Sequence, residues 1–209
     1  MSSVIAMIYR NEVCLASDTK VVDHNTGDEL EPMVKQTVIN DEFAIGFAGS
    51  GNIAEVIIRT LESPKNMHIV SKLTLDDAPK VLDDIYQAHI SKSKYPDEEM
   101  GHVSALMVGF SKHTPKIIRW DSSGKTKSLR RTTPESFVAS VLEPYDIEQA
   151  ECSEILHSCA LKATNDNHDT VSLAVIAVNY FNTISSKSKF TGEEAVIWRH
   201  KTFGIVGAF

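Results

Sequence analysis

The sequence predicts an α+β fold in which two antiparallel sheets pack face to face and helices cover their outer faces. Strand-like segments come first, two helical segments follow, and strands, one helix and further strands complete the order. Consecutive early strands are joined by short polar turns rather than by helices, and such hairpins are antiparallel. Residues 4–9 are apolar on both faces, which is typical of a strand buried between two layers.

The first half of the chain is predicted to contain two hairpins and then two helices. The strands are 4–9 and 13–16 in the first hairpin, and 37–39 and 43–48 in the second. Apolar residues at helical spacing predict a helix over 53–61, which Pro64 ends. Thr74 and Asp77 open the second helix, which has Pro79 in its first turn.

The second half is predicted to be mostly strands around a third helix. Helical spacing from Ile155 to Ala163 marks that helix, and a largely apolar run predicts a buried strand over 171–178. The remaining predicted strands are 103–110, 116–120, 195–198 and 203–206, and residues 137–141 form a short apolar run.

Length and composition are those of a single folded domain over residues 1–209. Hydrophobic residues make up 42% and charged residues 23%, which excludes a disordered or fibrous chain. No apolar run approaches the roughly 18 residues of a membrane-spanning helix, so no membrane association is expected.

Charge and cysteine content indicate a cytoplasmic protein that does not bind nucleic acid. The formal net charge is −7 and no basic block is present, which is a poor match to a phosphate backbone. No secretory signal opens the chain. The chain has three cysteines, an odd number, and all lie at apolar positions: Cys14, Cys152 and Cys159. We therefore expect reduced, buried cysteines.

Three familiar motifs are incomplete. Gly-Lys-Thr ends at Thr126, but Arg119 stands where a phosphate-binding loop needs its first glycine, so a β-turn is expected. The histidines have no metal-binding spacing, and neither a metal nor a cofactor is expected. His168 and Asp169 lie beside Ser172, but sequence neighbours rarely point at each other, which argues against a serine triad.

Three N-terminal residues carry the chemistry that the sequence favours. Ser2 follows the initiator Met1, and a small second residue permits removal of that methionine. Asp18 ends the second strand, 16 residues after Ser2, so the first hairpin should bring the two together. Lys35 precedes the third strand and can join them.

This arrangement resembles the N-terminal-nucleophile hydrolases, specifically the proteasome β subunits and their HslV-type relatives. Ser2, Asp18 and Lys35 stand where that family has its nucleophile, aspartate and lysine, and residues 47–50 match its helix-entry turn. Asp169-Thr170-Val171-Ser172 matches the family's Asp-x-x-Ser. The resemblance implies a four-layer αββα sandwich, the N-terminal-nucleophile hydrolase fold.

The resemblance also implies a role for each matching residue. Ser2 is the nucleophile, and its own α-amine is the base, with an unperturbed pKa of about 7.7–8.0. Lys35 lowers the pKa of that amine and Asp18 holds the lysine. The backbone N–H of Gly49 stabilises the oxyanion. Asp169 and Ser172 orient the amine.

Three features depart from the family pattern. Serine replaces the usual threonine at the nucleophile position. The segment from Lys35 to Gly46 is one residue shorter than expected, which leaves Lys20 as the alternative to Lys35. The family's Gly-Ser-Gly turn is absent, and residues 140–145 stand in its place, so no accessory serine is assigned there.

The function predicted from this resemblance is hydrolysis of peptides or unfolded proteins. The same resemblance implies a homo-oligomer, as a ring or helical assembly, and a possible ATP-dependent unfoldase partner. Two alternatives stay open: a non-catalytic structural subunit that keeps Met1, and an amidase or transpeptidase that uses Ser2 on one defined substrate.

Overall fold

The computed structural model describes residues 3–23, 26–91, 101–130, 133, 136–166 and 172–201. Within these ranges the chain forms two large antiparallel sheets, a small two-stranded sheet and five helices.

Sheet I has the strand order β10-β1-β2-β11, and sheet II has the order β5-β6-β7-β8-β9. The short strands β3 and β4 pair with each other. The strands are β1 (Val4–Tyr9), β2 (Glu12–Asp18), β3 (Val21–Val22), β4 (Glu29–Leu30), β5 (Gln36–Asn40), β6 (Phe43–Gly49), β7 (Val103–Ser111), β8 (Thr114–Asp121), β9 (Thr126–Arg130), β10 (Val138–Leu142) and β11 (Ala195–Lys201). The helices are α1 (Gly51–Leu61), α2 (Met67–Val70), α3 (Ala78–Ile90), α4 (Gln149–Asp166) and α5 (Leu173–Ser185).

Three apolar layers hold these elements together. The central layer lies between the two sheets, where Val4 of β1 and Leu15 of β2 pack in one cluster with Leu106 of β7. The outer face of sheet II buries Phe43 and Phe47 against α1 and α3. The outer face of sheet I packs on α4 and α5. The layer order is therefore helix, sheet, sheet, helix, and the predicted αββα sandwich is confirmed.

The predicted hairpins, the helices near 53–61 and 155–163, and the helix after Asp77 are confirmed, with their ends moved by a few residues. The predicted strand over 171–178 is wrong, because Leu173–Ser185 forms helix α5. Its buried residues recur every three or four positions: Leu173, Ile176, Ala177, Tyr180, Phe181 and Ile184. The apolar run that suggested a strand is the start of a longer helical pattern.

The short strands β3 and β4, strand β9 and helix α2 were not predicted, and one predicted strand lies outside the described residues. Strand β9 is mostly exposed and lacks apolar alternation, and it forms by pairing with β8. Helix α2 is a single short turn. Strand β11 confirms the prediction at 195–198, whereas 203–206 is not among the described residues. Within the described chain, none of the helices has the length and apolar character needed to span a membrane.

Candidate active site

The first hairpin places Asp18 directly beside the start of β1. Val4 pairs with Ser17 across the ladder, so the next residues outward are Ser3 and Asp18. The backbone N–H of Ser3 donates to Asp18 Oδ2 at 2.7 Å, and the N–H of Asp18 donates to the Ser3 carbonyl at 3.3 Å. Both residues are fully buried. The N-terminal strand is thus fastened to the Asp18 carboxylate one residue after Ser2.

Lys35 reaches the same carboxylate from the second hairpin. The N–H of Phe47 donates to the Lys35 carbonyl at 2.8 Å, which continues the β5–β6 ladder by one residue and fixes the lysine backbone. Lys35 Nζ donates to Asp18 Oδ1 at 2.8 Å and also to the Lys20 carbonyl. The Lys20 side chain instead pairs with Glu29 at 3.4 Å. The structure therefore pairs the carboxylate of Asp18 with the ammonium of Lys35.

Burial and pairing act in opposite directions on this ion pair. Burial raises the pKa of Asp18 above the ordinary carboxyl value, while Lys35 and the N–H groups of Ser3 and Lys20 oppose that rise. Burial lowers the pKa of Lys35, and the Asp18 carboxylate opposes that fall. Each charge depends on its partner, because a buried ion without a partner is strongly destabilised.

Gly49 ends β6 in a backbone conformation that only glycine adopts easily. Its φ is +108°, and a Cβ there would collide with the carbonyl oxygen of His102. That carbonyl accepts the N–H of Ser50 at 2.8 Å, and Ser50 is the N-cap of α1. The close approach of the end of β6 to His102, just before β7, therefore requires glycine at this position.

A narrow cavity of about 60 Å³ connects Lys35 with Gly49. Its wall is mainly apolar, and the lining residues are Val21, Val22, Met33, Lys35, Phe47, Ala48, Gly49, Gly51 and Ala54. Phe47 and Ala54 belong to the core beneath α1, so that part of the wall is rigid. The cavity is suited to a small apolar side chain beside the buried ion pair.

The structure brings together three of the six residues predicted for the site. Asp18 and Lys35 form the ion pair, and Gly49 lines the same cavity as Lys35. Ser172 is the half-buried N-cap of α5, and among the described residues no hydrogen bond joins its hydroxyl to Asp18 or Lys35. Ser2 and Asp169 lie outside the described residues.

Two residues that contact this region were not anticipated from the sequence. Ser3 Oγ lies 2.9 Å from the hydroxyl of Tyr180 on α5, and it also donates to the Leu142 carbonyl at 3.3 Å. Ser3 could have been found from the hairpin register, since it precedes a strand whose partner ends at Asp18. Tyr180 offers no such signal, because it is separated from Ser3 by 177 residues.

A larger cavity of about 570 Å³ lies elsewhere and shares no lining residue with the Asp18–Lys35 region. It opens between the edge strands β9 and β10, next to α4, and its wall is largely polar. In the ranges that the structure describes, no three His, Cys, Asp or Glu side chains are grouped to hold a metal ion. The three cysteines are free and buried.

Comparison with known proteins identifies both a family and a fold. The family model described as proteasome subunit matches residues 2–178. The solved structure of eukaryotic HslV from Trypanosoma brucei is similar over 96% of this chain and 99% of that chain, with a TM-score of 0.55 and 16% sequence identity. Identity at that level establishes the shared fold alone. None of the curated proteins matches this chain.

Proposed function

The chain belongs to the proteasome subunit family, and from that premise we propose that it hydrolyses peptide bonds with Ser2 as an N-terminal nucleophile. One observation carries the proposal: the buried Asp18–Lys35 pair is hydrogen-bonded to the backbone N–H of Ser3, the residue that follows Ser2. In this proposal the buried lysine–carboxylate pair, which contacts Ser3, supplies a cation to the neighbouring terminal amine of Ser2. Such a cation is what that amine needs to act as a base near neutral pH.

The proposed reaction begins when Ser2 Oγ attacks the carbonyl carbon of the scissile peptide bond and its proton passes to the Ser2 α-amine. The negative charge that develops on the carbonyl oxygen is stabilised by the backbone N–H of Gly49. The C–N bond then breaks, and the departing amine takes the proton from the α-ammonium group. An ester between Ser2 and the acyl half of the substrate remains.

Water completes the reaction by the same groups in reverse order. The α-amine takes a proton from water, whose oxygen attacks the ester carbonyl, and the proton returns to Ser2 Oγ as the ester bond breaks. Lys35 keeps the pKa of the amine low, and Asp18 keeps the lysine charged and oriented. In this proposal Asp169 and Ser172 hold the amine in place.

The cavity beside the pair suggests which substrates fit. Its walls include Val22, Phe47 and Ala54, and its volume is about 60 Å³, so small apolar side chains are favoured before the scissile bond. Peptides with alanine or valine at that position should be cleaved faster than peptides with lysine or glutamate. Equal rates for all four peptides would remove this part of the proposal.

The nucleophile is tested by replacing Ser2 in the full chain. Ser2→Ala should abolish peptide hydrolysis and leave the fold intact, because a terminal side chain contributes little packing. Ser2→Thr should keep substantial activity, because it retains both the hydroxyl and the α-amine. Undiminished hydrolysis by Ser2→Ala would exclude Ser2 as the nucleophile, and an inactive wild type that retains Met1 would indicate a structural subunit.

We further propose that the chain assembles with copies of itself, in a ring or a helical array, and receives unfolded chains from an ATP-dependent unfoldase. Enclosure of the site would protect folded proteins from cleavage. Sedimentation at micromolar concentration should show particles many times the 23.1 kDa mass of one chain. A monomer throughout that range would refute the proposal of enclosure.

A further inference from the structure

Ser3 is held by more contacts than its place ahead of β1 would require. Its backbone bonds to Asp18, and its hydroxyl donates to the Leu142 carbonyl at 3.3 Å on the neighbouring strand β10. The remaining contact comes from the helical layer, where the hydroxyl of Tyr180 lies 2.9 Å from Ser3 Oγ. Both contacts of the Ser3 hydroxyl are satisfied together when its proton bonds the Leu142 carbonyl and the tyrosine donates to Ser3 Oγ.

Tyr180 is well suited to act as a fixed donor. Its side chain is fully buried in the middle of α5, and its ring packs edge-on against Phe181. Burial raises the pKa of Tyr180, so its hydroxyl keeps its proton. The thiol of Cys152 on α4 also interacts with this hydroxyl, which is thus held between the two helices and the sheet. A hydroxyl at such a depth is destabilising unless it is hydrogen-bonded.

We propose that Tyr180 is a positioning residue of the candidate active site, which acts by holding Ser3 against the Asp18 carboxylate. The inference rests on the proposed function, since the residue positioned by Ser3 is the nucleophile Ser2. Chain ends fray unless they are fastened, and Ser3 lies outside the β1 ladder. The tyrosine fastens it from the helical layer, whereas Asp18 fastens it from the neighbouring strand. Helix α5 thereby sets the position of the reacting end of the chain.

The kinetic test is Tyr180→Phe in the full chain, which keeps the ring and removes only the hydroxyl. We expect kcat to fall about fivefold, the value of one net hydrogen bond, with KM unchanged. Tyr86→Phe is the matched control, because Tyr86 is also buried in an edge-on aromatic pair but lies beneath sheet II. Its kcat should equal that of the wild type.

The Ser3 hydroxyl provides the second half of the test. Ser3→Ala should lower kcat as much as Tyr180→Phe, and the double variant should be no slower than either, because the two hydroxyls act as one pair. Ser3→Thr should restore activity. Additive losses in the double variant, or a wild-type kcat for Tyr180→Phe, would overturn the inference.

Hydrogen exchange at the Ser3 amide separates this inference from the proposed function. In Tyr180→Phe the Ser3 amide should exchange about fivefold faster, again the value of one net hydrogen bond, while amides in the centre of β7 keep their protection. If the wild type fails to hydrolyse peptides, the proposed function is wrong, but this measurement still tests the placement of Ser3. Unchanged exchange at Ser3 would refute the role of Tyr180 even in an active protein.

Discussion

Replacing Asp18 with asparagine tests the buried ion pair that the proposed mechanism depends on. Asp18 is fully buried, and its carboxylate accepts bonds from the Ser3 N–H at 2.7 Å and from Lys35 Nζ at 2.8 Å. An asparagine oxygen can still accept the Ser3 N–H, but its NH₂ group then faces the ammonium of Lys35. The lysine keeps only the Lys20 carbonyl.

The expected loss of stability follows from leaving a buried ammonium without its carboxylate. Removing one partner of a buried pair destabilises a protein by about 3–5 kcal/mol, a large part of a typical total of roughly 5–15 kcal/mol. Without the carboxylate that raises it, the pKa of Lys35 falls further, so the charged lysine is less favoured. The α-amine then lacks a neighbouring cation, its pKa rises, and activity begins only at higher pH.

Urea unfolding at pH 7 and fixed protein concentration measures this loss. Glu55→Gln is the control, because the exposed Glu55–Arg59 pair should contribute only about 0.5 kcal/mol. The double variant Asp18→Asn, Lys35→Met removes the unpaired charge and should recover most of the stability while remaining inactive. If Asp18→Asn is as stable as Glu55→Gln, the pair does not have the role assigned here.

Two further variants, each with a matched control, probe the same region. Gly49→Ala should destabilise the fold by several kcal/mol, about 1–2 from the positive φ alone and the rest from collision with the His102 carbonyl. Gly51→Ala is the control: it has open space around it and should be neutral or stabilising by about 1 kcal/mol. Thermal unfolding compares the two variants. Lys35→Ala should move the onset of peptide hydrolysis to higher pH, because the ammonium bonded to Asp18 is that of Lys35, and Lys20→Ala should not. pH–rate profiles showing the reverse would transfer the role to Lys20.

The sequence predicted those parts of the fold in which local pattern and tertiary packing agree. Both early hairpins have apolar runs separated by polar turns, and each formed as expected. Helix α5 was missed because its first six residues, Leu173–Val178, are all apolar and show no polar face. Its helical period becomes visible only when Tyr180, Phe181 and Ile184 are included. Strand β9 was missed for the opposite reason: it is an exposed, mostly polar edge strand, so its sequence shows no hydrophobic pattern.

The candidate site was predictable to the extent that it lies within hairpins. The spacing of the first hairpin predicts that the start of the chain lies beside Asp18, and the structure shows Ser3 bonded there. Lys35 follows from the second hairpin. Tyr180 was not predictable, because its contact with Ser3 depends on how α5 packs on sheet I. The cavity wall could not be predicted from the sequence for the same reason, since it combines residues from β3, β6 and α1.

The central claim is that Ser2 is the free N-terminal nucleophile, and mass spectrometry after treatment with a hydroxyl-reactive peptide inhibitor tests it most directly. Intact mass should show that the purified full-length chain has lost one methionine residue, and peptide mapping should place the inhibitor on Ser2. The Ser2→Ala variant should remain unlabelled. A folded, assembled chain that retains Met1, or an adduct located at any other residue, would contradict the account.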